Sequence, residues 1–309
     1  MGETARAAVV VVNYGSNELL ADGLLSTALP ESVLGVVVDN YSTAAERTAI
    51  AGLCERAGWQ AVLSADNQGF GGGMNAGVAR AASLGVDTLL LINPDAVIST
   101  EAIDRLIRAA EQSPDTIWTP IIRLSDGRTA FAGGTVDLVR GTLSSRTLPD
   151  PAERDLVPWL SGACMALSMA LWQRIGGFDH DYFMYWEDVD FSVRAHRTGA
   201  RLAMLGDVVV THDPGGTQRS TSQPSAKSPL YVRYNCRNRL VFAAKLVDPA
   251  RHRAWILQAP GYAREVSLRS GRRALLRRPS LIAAALSGTL QGLLFWGRSA
   301  LRGDPRVSR

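Results

Sequence analysis

The fold turns on the stretch TLLLINPDA, residues 88–96. Five apolar or β-branched residues run unbroken and end at Asn93-Pro94-Asp95, which is good turn chemistry. Such a run, bounded by a turn, reads as a strand buried on both faces. Moving outward, similar runs occur at 8–12 and 35–38, with a shorter one at 61–63. Segments 17–28, 44–57 and 74–84 lie between or beside them and carry helical spacing. Strands alternating with helices predict an α/β fold with a mostly parallel central sheet flanked by helices. In such sheets ligands bind beyond the carboxyl ends of the strands. Asn13, Asp39 and Asp95 all stand at those ends.

The chain of 309 residues suits one large domain with an appendage, or two domains. Its 46% hydrophobic and 20% charged residues are ordinary globular composition. Cys54, Cys164 and Cys236 are widely spaced and form no CxxC pair. That argues against a disulfide framework and a cysteine zinc site, and it suits a reducing compartment. The apolar run at 7–12 is too short for a signal-peptide core. The net charge of +4 hides an asymmetry. Residues 245–309 hold twelve arginines and one lysine against three acids, a net +10, so the rest carries −6. A basic tail on an acidic body points to an anionic partner surface.

The middle of the chain, 117–180, is less regular, with a strand expected at 159–167. A helix is expected from Glu187 to a stop at Gly199, a good C-terminal cap. A strand over 202–210 leads to His212. Residues 213–229 read as a mobile loop, and after Pro249 the chain reads as helical and arginine-rich. No internal repeat is present.

Five segments could carry chemistry. Asp39 opens DNYS (39–42) straight after a strand. Its carboxylate can accept from a base edge or ribose hydroxyl, or form an Asx turn capping the next helix. NQGFGGGMNAG (67–77) is glycine-dense ahead of a helix, where backbone can approach a ligand and phosphate is attracted. It is neither a Walker loop nor a dinucleotide fingerprint, and a flexible turn is the plain alternative. Asp95 can hold magnesium, which takes one or two carboxylates plus phosphate oxygens and water, or can simply end the strand. WEDVD (186–190) puts three carboxylates at a helix start, where negative charge is favourable in itself. The aromatics of YFMYW (182–186) beside it can raise a carboxylate pKa toward general-base range, while the helix dipole lowers it. His212 is the best placed of the four histidines for a metal.

In this order, VVVVNY (9–14), VVDNYS (37–42), DNQGFGGGMNAG (66–77), LLLINPDA (89–96), WLSGACMAL (159–167), GGFDHDYFMYWEDVDFSVRAHRTG (176–199), THDPGGT (211–217) and YVRYNCRNRL (231–240) form a pattern. The pattern resembles glycosyltransferase family 2, which has the GT-A fold. It is similar to the bacterial rhamnosyltransferase-like branch that builds cell-wall or polysaccharide linkers on lipid carriers. The resemblance implies donor contacts at Asn13, Tyr14, Asp39, Asn67, Gly69, Gly72, Asn75, Asn93 and Asp95, with Asp39 on the pyrimidine. It implies a divalent metal, Mg2+ or Mn2+, at Asp95 and His212. Asp188 is then the catalytic base, and Glu187 orients the acceptor. Trp159, Gly162, Tyr185, Trp186, Arg237 and Asn238 fall on the acceptor side. Asn93 stands where many members have an aspartate, which leaves one carboxylate in that motif.

The expected function is inverting sugar transfer, from dTDP-rhamnose or a UDP-sugar such as UDP-galactofuranose, to a polyprenyl-diphosphate-linked or glycan acceptor. A sugar nucleotidyltransferase is a second reading. It needs a basic triphosphate loop after the first strand, and no Lys or Arg occurs from Asn13 to Glu46. A non-catalytic nucleotide-sugar-binding protein is a third. Residues 1–245 are expected to form the transferase domain. Residues 246–309 are expected to form a basic helical element at the membrane surface or acceptor side. The apolar stretch 281–296 falls short of the ~20 residues of a spanning helix, and arginines precede it. The protein is therefore expected in the cytoplasm, peripheral on the inner face of the plasma membrane, with anionic lipid as partner and no nucleic acid. A homo-oligomer is left open.

Overall fold

The computed structural model describes residues 5–150, 152–212, 227–269 and 271–302. The first half lays down β1 (Ala7–Asn13), α1 (Asn17–Asp22), a 3-10 turn (Leu24–Ser26), β2 (Val33–Asp39), α2 (Ala44–Ala57), β3 (Gln60–Leu63), α3 (Gly69–Ser83) and β4 (Thr88–Ile92). Every residue of β1 and β4 is buried. Alternate side chains explain why: Ala8, Val10 and Val12 enter one core, and Ala7, Val9 and Val11 enter another on the opposite face. The parallel order is β3-β2-β1-β4, with Asn13 level with Asp39.

The chain continues through β5 (Ala96–Val97), α4 (Thr100–Gln112), β6 (Thr116–Arg123), β7 (Thr129–Phe131), β8 (Gly134–Asp137), β9 (Thr142–Ser144), β10 (Leu156–Trp159), β11 (Cys164–Ser168), α5 (Met169–Ile175), α6 (Glu187–Arg197) and β12 (Arg201–His212). β11 joins the main sheet antiparallel between β4 and β6, and β12 runs parallel to β6. β10, β8 and β9 make a separate small sheet.

Three expectations are corrected. The helix over 17–28 breaks at Gly23 into α1 and the 3-10 turn. The helix expected from 74 begins at Gly69, so the glycines lie inside its first turns. The strand over 159–167 is two strands in two sheets, because the Gly162 N–H bonds a side chain, Asp188, instead of a neighbouring strand. The mobile-loop reading at 213–229 falls mostly outside the described residues. Its end does not, since α7 (Pro229–Leu246) starts there, capped by Ser228.

After α7 come α8 (Pro249–Leu257), α9 (Ala259–Leu268), α10 (Arg272–Arg277) and α11 (Pro279–Arg302). A third core joins Tyr182, Trp186, Val189 and Val193 to Phe242, Trp255, Tyr262 and Leu281. It spans position 245 without a break, so the C-terminal helices buttress α6. Arg239 is buried within it and donates to the Gly141 and Trp255 carbonyls, each at 2.9 Å. Desolvation pulls its pKa down to about 10. The three cysteines are free and buried.

Candidate active site

The acidic wall begins with backbone geometry. Tyr185 and Trp186 have φ of 65° and 74°, in the left-handed region that non-glycine residues rarely enter. This reverses the chain so that α6 opens on Glu187 and Asp188. One Asp188 oxygen accepts from the Gly162 N–H at 3.0 Å and the other from the Val189 N–H at 2.8 Å. Burial raises the Asp188 pKa, and these backbone bonds oppose it. Glu187 is raised well above the carboxylate range, first by burial and then by the charge of Asp188. Its Oε2 is buried without a hydrogen-bond partner. Burial thus outweighs the backbone bonds, and both acids shift upward. Asp190 plays another part, gripping Arg194 at 2.6 Å.

The second wall lies at the ends of β4 and β12. Asp95 Oδ1 is 3.0 Å from His212 Nε2, and Asn93 Nδ2 is 3.2 Å from the same nitrogen. That nitrogen donates to Asp95 or accepts from Asn93 according to tautomer. Among the described residues no three His, Cys, Asp or Glu groups converge into a closed metal cage. One carboxylate and one imidazole fit a cation that takes its other ligands from phosphate oxygens and water. The two walls are tied together by one piece of main chain. The Asn93 N–H donates to the Ala163 carbonyl at 3.0 Å, and Gly162, next in line, holds Asp188.

Asp39 ends β2 fully buried and pairs with Arg47 Nε at 3.0 Å, while its Oδ1 has no hydrogen-bond partner. Exposed Tyr14 and Tyr41 follow the same adjacent strand ends. Asn13 is buried; its Nδ2 donates to Asn17 and its Oδ1 accepts from the Ser16 N–H. The glycine-rich segment is closely packed. A Cβ on Gly69 would stand 1.9 Å from the Phe183 carbonyl, and one on Gly77 2.4 Å from Val10. Gly72 backs onto the Gln68 side chain. Asn67 caps the Gly69 N–H at 2.9 Å, and Asn75 exchanges two bonds with the Phe178 backbone. α3 is thereby welded to the chain leading into α6.

Residues 5–237 match the model of a family described as glycosyltransferase like family 2. The chain belongs to glycosyltransferase family 2. As a family-2 enzyme it is a hexosyltransferase. It is 30% identical over 234 residues to the N-acetylglucosaminyl-diphospho-decaprenol L-rhamnosyltransferase of Mycobacterium tuberculosis, covering 66% of this chain and 75% of that one. It is 27% identical to the low-salt glycan biosynthesis hexosyltransferase Agl10 of Haloferax volcanii, covering 75% and 74%. Among solved structures, the Pyrobaculum calidifontis mannosyltransferase in complex with GDP-Man and Mn2+ superposes with TM-score 0.54 at 15% identity, over 96% of this chain and 86% of that one. GalNAc-T7 with UDP, GalNAc and Mn2+ gives 0.55 at 14% identity, over 79% of this chain and about half, 51%, of its own. These likenesses establish the GT-A fold.

The remaining residues of this family-2 transferase divide by position. Trp159 is pinned by its indole N–H to the Ser144 carbonyl at 2.9 Å and stacks edge-on to Phe131. Arg237 donates to the Asp181 carbonyl at 2.8 Å. Asn238 is buried against the backbone of Met184 and Tyr185. Two residues escaped sequence reading. Asn40 clamps the glycine segment through Asn67, Gln68 and Gly69, and Arg47 neutralises Asp39. Asn40 sits inside a motif that was read for its neighbour. Arg47 lies one helical turn into α2, and nothing in its local sequence separates it from a solvated arginine.

Proposed function

We propose that the enzyme is an inverting, metal-dependent transferase that moves L-rhamnose from dTDP-rhamnose to a lipid-linked or polysaccharide acceptor in cell-surface glycan synthesis. The observation that carries this reading is the backbone at 162–163, which holds Asp188 through the Gly162 N–H and takes the Asn93 N–H two residues before Asp95, itself paired with His212. The L-rhamnosyltransferase name of the M. tuberculosis relative supports the sugar and a diphospho-polyprenol acceptor.

Asp188 takes the proton of the acceptor hydroxyl as that oxygen attacks the anomeric carbon. Each carboxylate oxygen keeps a lone pair beyond its backbone bond. The nucleoside diphosphate leaves from the opposite face, so one displacement inverts the configuration. Glu187 orients the acceptor. Asp39, with an unpartnered Oδ1, meets the ring N–H of thymine or uracil, and Tyr14 lies at the rim. Asp95 and His212 would hold the divalent cation, whose charge would offset that developing on the departing diphosphate.

Donor hydrolysis against a panel of nucleotide sugars with Mn2+ or Mg2+ tests the proposal. Fastest release of dTDP from dTDP-rhamnose supports it. Preference for UDP-galactofuranose moves the sugar assignment, pyrophosphate chemistry indicates a nucleotidyltransferase, and no turnover with tight binding indicates a non-catalytic protein.

The raised acids set the pH dependence. Transfer needs Asp188 ionised, so kcat climbs as pH rises through its raised pKa. Glu187 keeps its proton over the range in which Asp188 ionises, so Glu187→Gln removes no charge there and should leave the acidic limb of kcat in place. A limb that moves to lower pH would show that Glu187 is ionised beside Asp188. The same shifts act on stability with opposite sense. The folded chain retains protons that the unfolded chain has released, so stability falls as pH rises from the ordinary carboxylate range through the raised values.

We further propose that residues 246–309 seat the transferase domain, 1–245, on an anionic membrane surface at the cytoplasmic face. Over 272–302 there are six arginines and no acid. The inner face of α11 packs on α7, with a Gly288 Cβ position 2.1 Å from the Arg233 carbonyl. Its outer face carries Ile282, Leu286, Leu290 and Leu294, which are 48%, 68%, 59% and 51% exposed. Spacing of four puts them on one stripe. The helix is long and apolar enough to cross a membrane, yet its packed inner face favours lying along one. Sedimentation with phosphatidylglycerol vesicles is expected at low salt and not with phosphatidylcholine alone. The pair Leu286→Glu and Leu290→Glu should abolish it. Wild-type protein left in solution by anionic vesicles removes this part of the proposal.

A further inference from the structure

We infer that Asn238 is a positioning residue, whose amide holds the left-handed Tyr185–Trp186 backbone and so aims Asp188. The inference rests on the base role proposed for Asp188. Among the described residues, only Tyr41, Tyr185 and Trp186 are non-glycine with positive φ. Two of the three are adjacent, and they immediately precede the acidic pair. Such a conformation is sparsely populated and persists only where its surroundings over-determine it.

The surroundings here are specific. Asn238 lies on α7 and is fully buried. Its Nδ2 donates to the Met184 carbonyl at 2.9 Å and to the Tyr185 carbonyl at 2.7 Å. Its Oδ1 accepts from Arg237 Nη1, which also donates to the Asp181 carbonyl. A guanidinium on one side and two carbonyls on the other fix which end of the amide is which. Both amide hydrogens are therefore used on consecutive carbonyls of the reversed segment, which in buried ground need partners. The side chains of the pair are anchored in the same layer. Tyr185 stacks edge-on to Tyr231 of α7, and Trp186 packs against Phe242.

From that anchored segment the chain enters α6 directly. The Trp186 carbonyl accepts the Asp190 N–H at 2.8 Å, so the first turn is set by the residue that Asn238 helps to hold. Asp188 then meets the Gly162 N–H. The hydrogen bonds of Asn238 go to Met184, Tyr185 and Arg237 and none goes to Gly162 or Asp188, so it acts through the backbone. No near substitute supplies the same two bonds. An ionised aspartate offers no donor, glutamine is one methylene longer, and serine has one donor.

The test compares Asn238→Ala with wild type in metal-supported hydrolysis of the nucleotide sugar that wild type cleaves fastest. The expected loss in kcat is about tenfold to a hundredfold, with donor KM within about twofold. The acidic limb of kcat should also move to higher pH, because a misaimed Asp188 loses the Gly162 bond that favours its charged form. Tyr185→Gly supplies an independent readout, since glycine adopts positive φ freely. In that background the further loss from Asn238→Ala should shrink several-fold. If Asn238→Ala fails to fold, Asn238→Ser, which keeps one donor, is read in the same way. A loss confined to KM, an unmoved pH limb, or an equal loss in the Tyr185→Gly background overturns the positioning role. Wild-type turnover with full activity in Asn238→Ala overturns it while leaving the base role standing. Absence of wild-type turnover removes both.

Discussion

Asp188→Asn is expected to bind donor as wild type does and to transfer sugar ~10²–10⁴-fold more slowly, the usual contribution of a positioned general base. The substitution is nearly isosteric. The amide oxygen can still accept from one of the Gly162 and Val189 N–H groups, while the amide nitrogen cannot accept from the other. On the proposed mechanism, what is lost is the proton acceptor. The acceptor hydroxyl is a poor nucleophile while it keeps its proton. Glu187 is next in sequence, but its raised pKa keeps it protonated further up the pH scale. Calorimetry with nucleoside diphosphate and single-turnover transfer separate the two effects. Near-normal turnover in Asp188→Asn would take the base role away from this residue.

Asp95→Ala should give the second large loss, on the donor side. Asp95 is the only carboxylate of its motif and lies 3.0 Å from His212. With alanine there, the proposed site keeps the His212 imidazole and loses its carboxylate. We expect nucleoside diphosphate affinity in the presence of Mn2+ to fall to its value under chelator. We expect kcat to drop by roughly 10²–10³, as when a preorganised charge stabiliser is deleted. His212→Ala should lose less, because a carboxylate remains for a hard cation. Asn93→Asp should tighten Mn2+ binding by adding the second carboxylate. Unchanged Mn2+ dependence in Asp95→Ala would show that the cation sits elsewhere.

The strand runs, and with them the parallel half of the sheet, were legible because burial on both faces writes an unbroken apolar code. Strand-end polar groups were legible for the same reason: Asp39 and Asp95 directly follow apolar runs, although a turn or cap explains each of them alone. Glycine next to a helix suits a backbone approach to phosphate, and that much is local information. The close contacts of the glycine segment with Phe183 and Val10 come from chain far away in sequence, so its packing was not local information. The split of 159–167 was hidden likewise, since it depends on Gly162 meeting Asp188 across 26 residues.

The sequence by itself determined the alternation of strands and helices, the family, and which acids and which histidine stand at element ends. These are properties of short windows, where hydrophobic period and turn chemistry act alone. Tertiary structure decided the rest. It paired Asp95 with His212, joined the two walls through 162–163, and let burial outweigh the backbone bonds, raising both acids. It also turned the C-terminal helices from an appendage into the support of α6. Each depends on which distant groups are brought within a few ångströms, and hydrogen bonding and desolvation act only at that range.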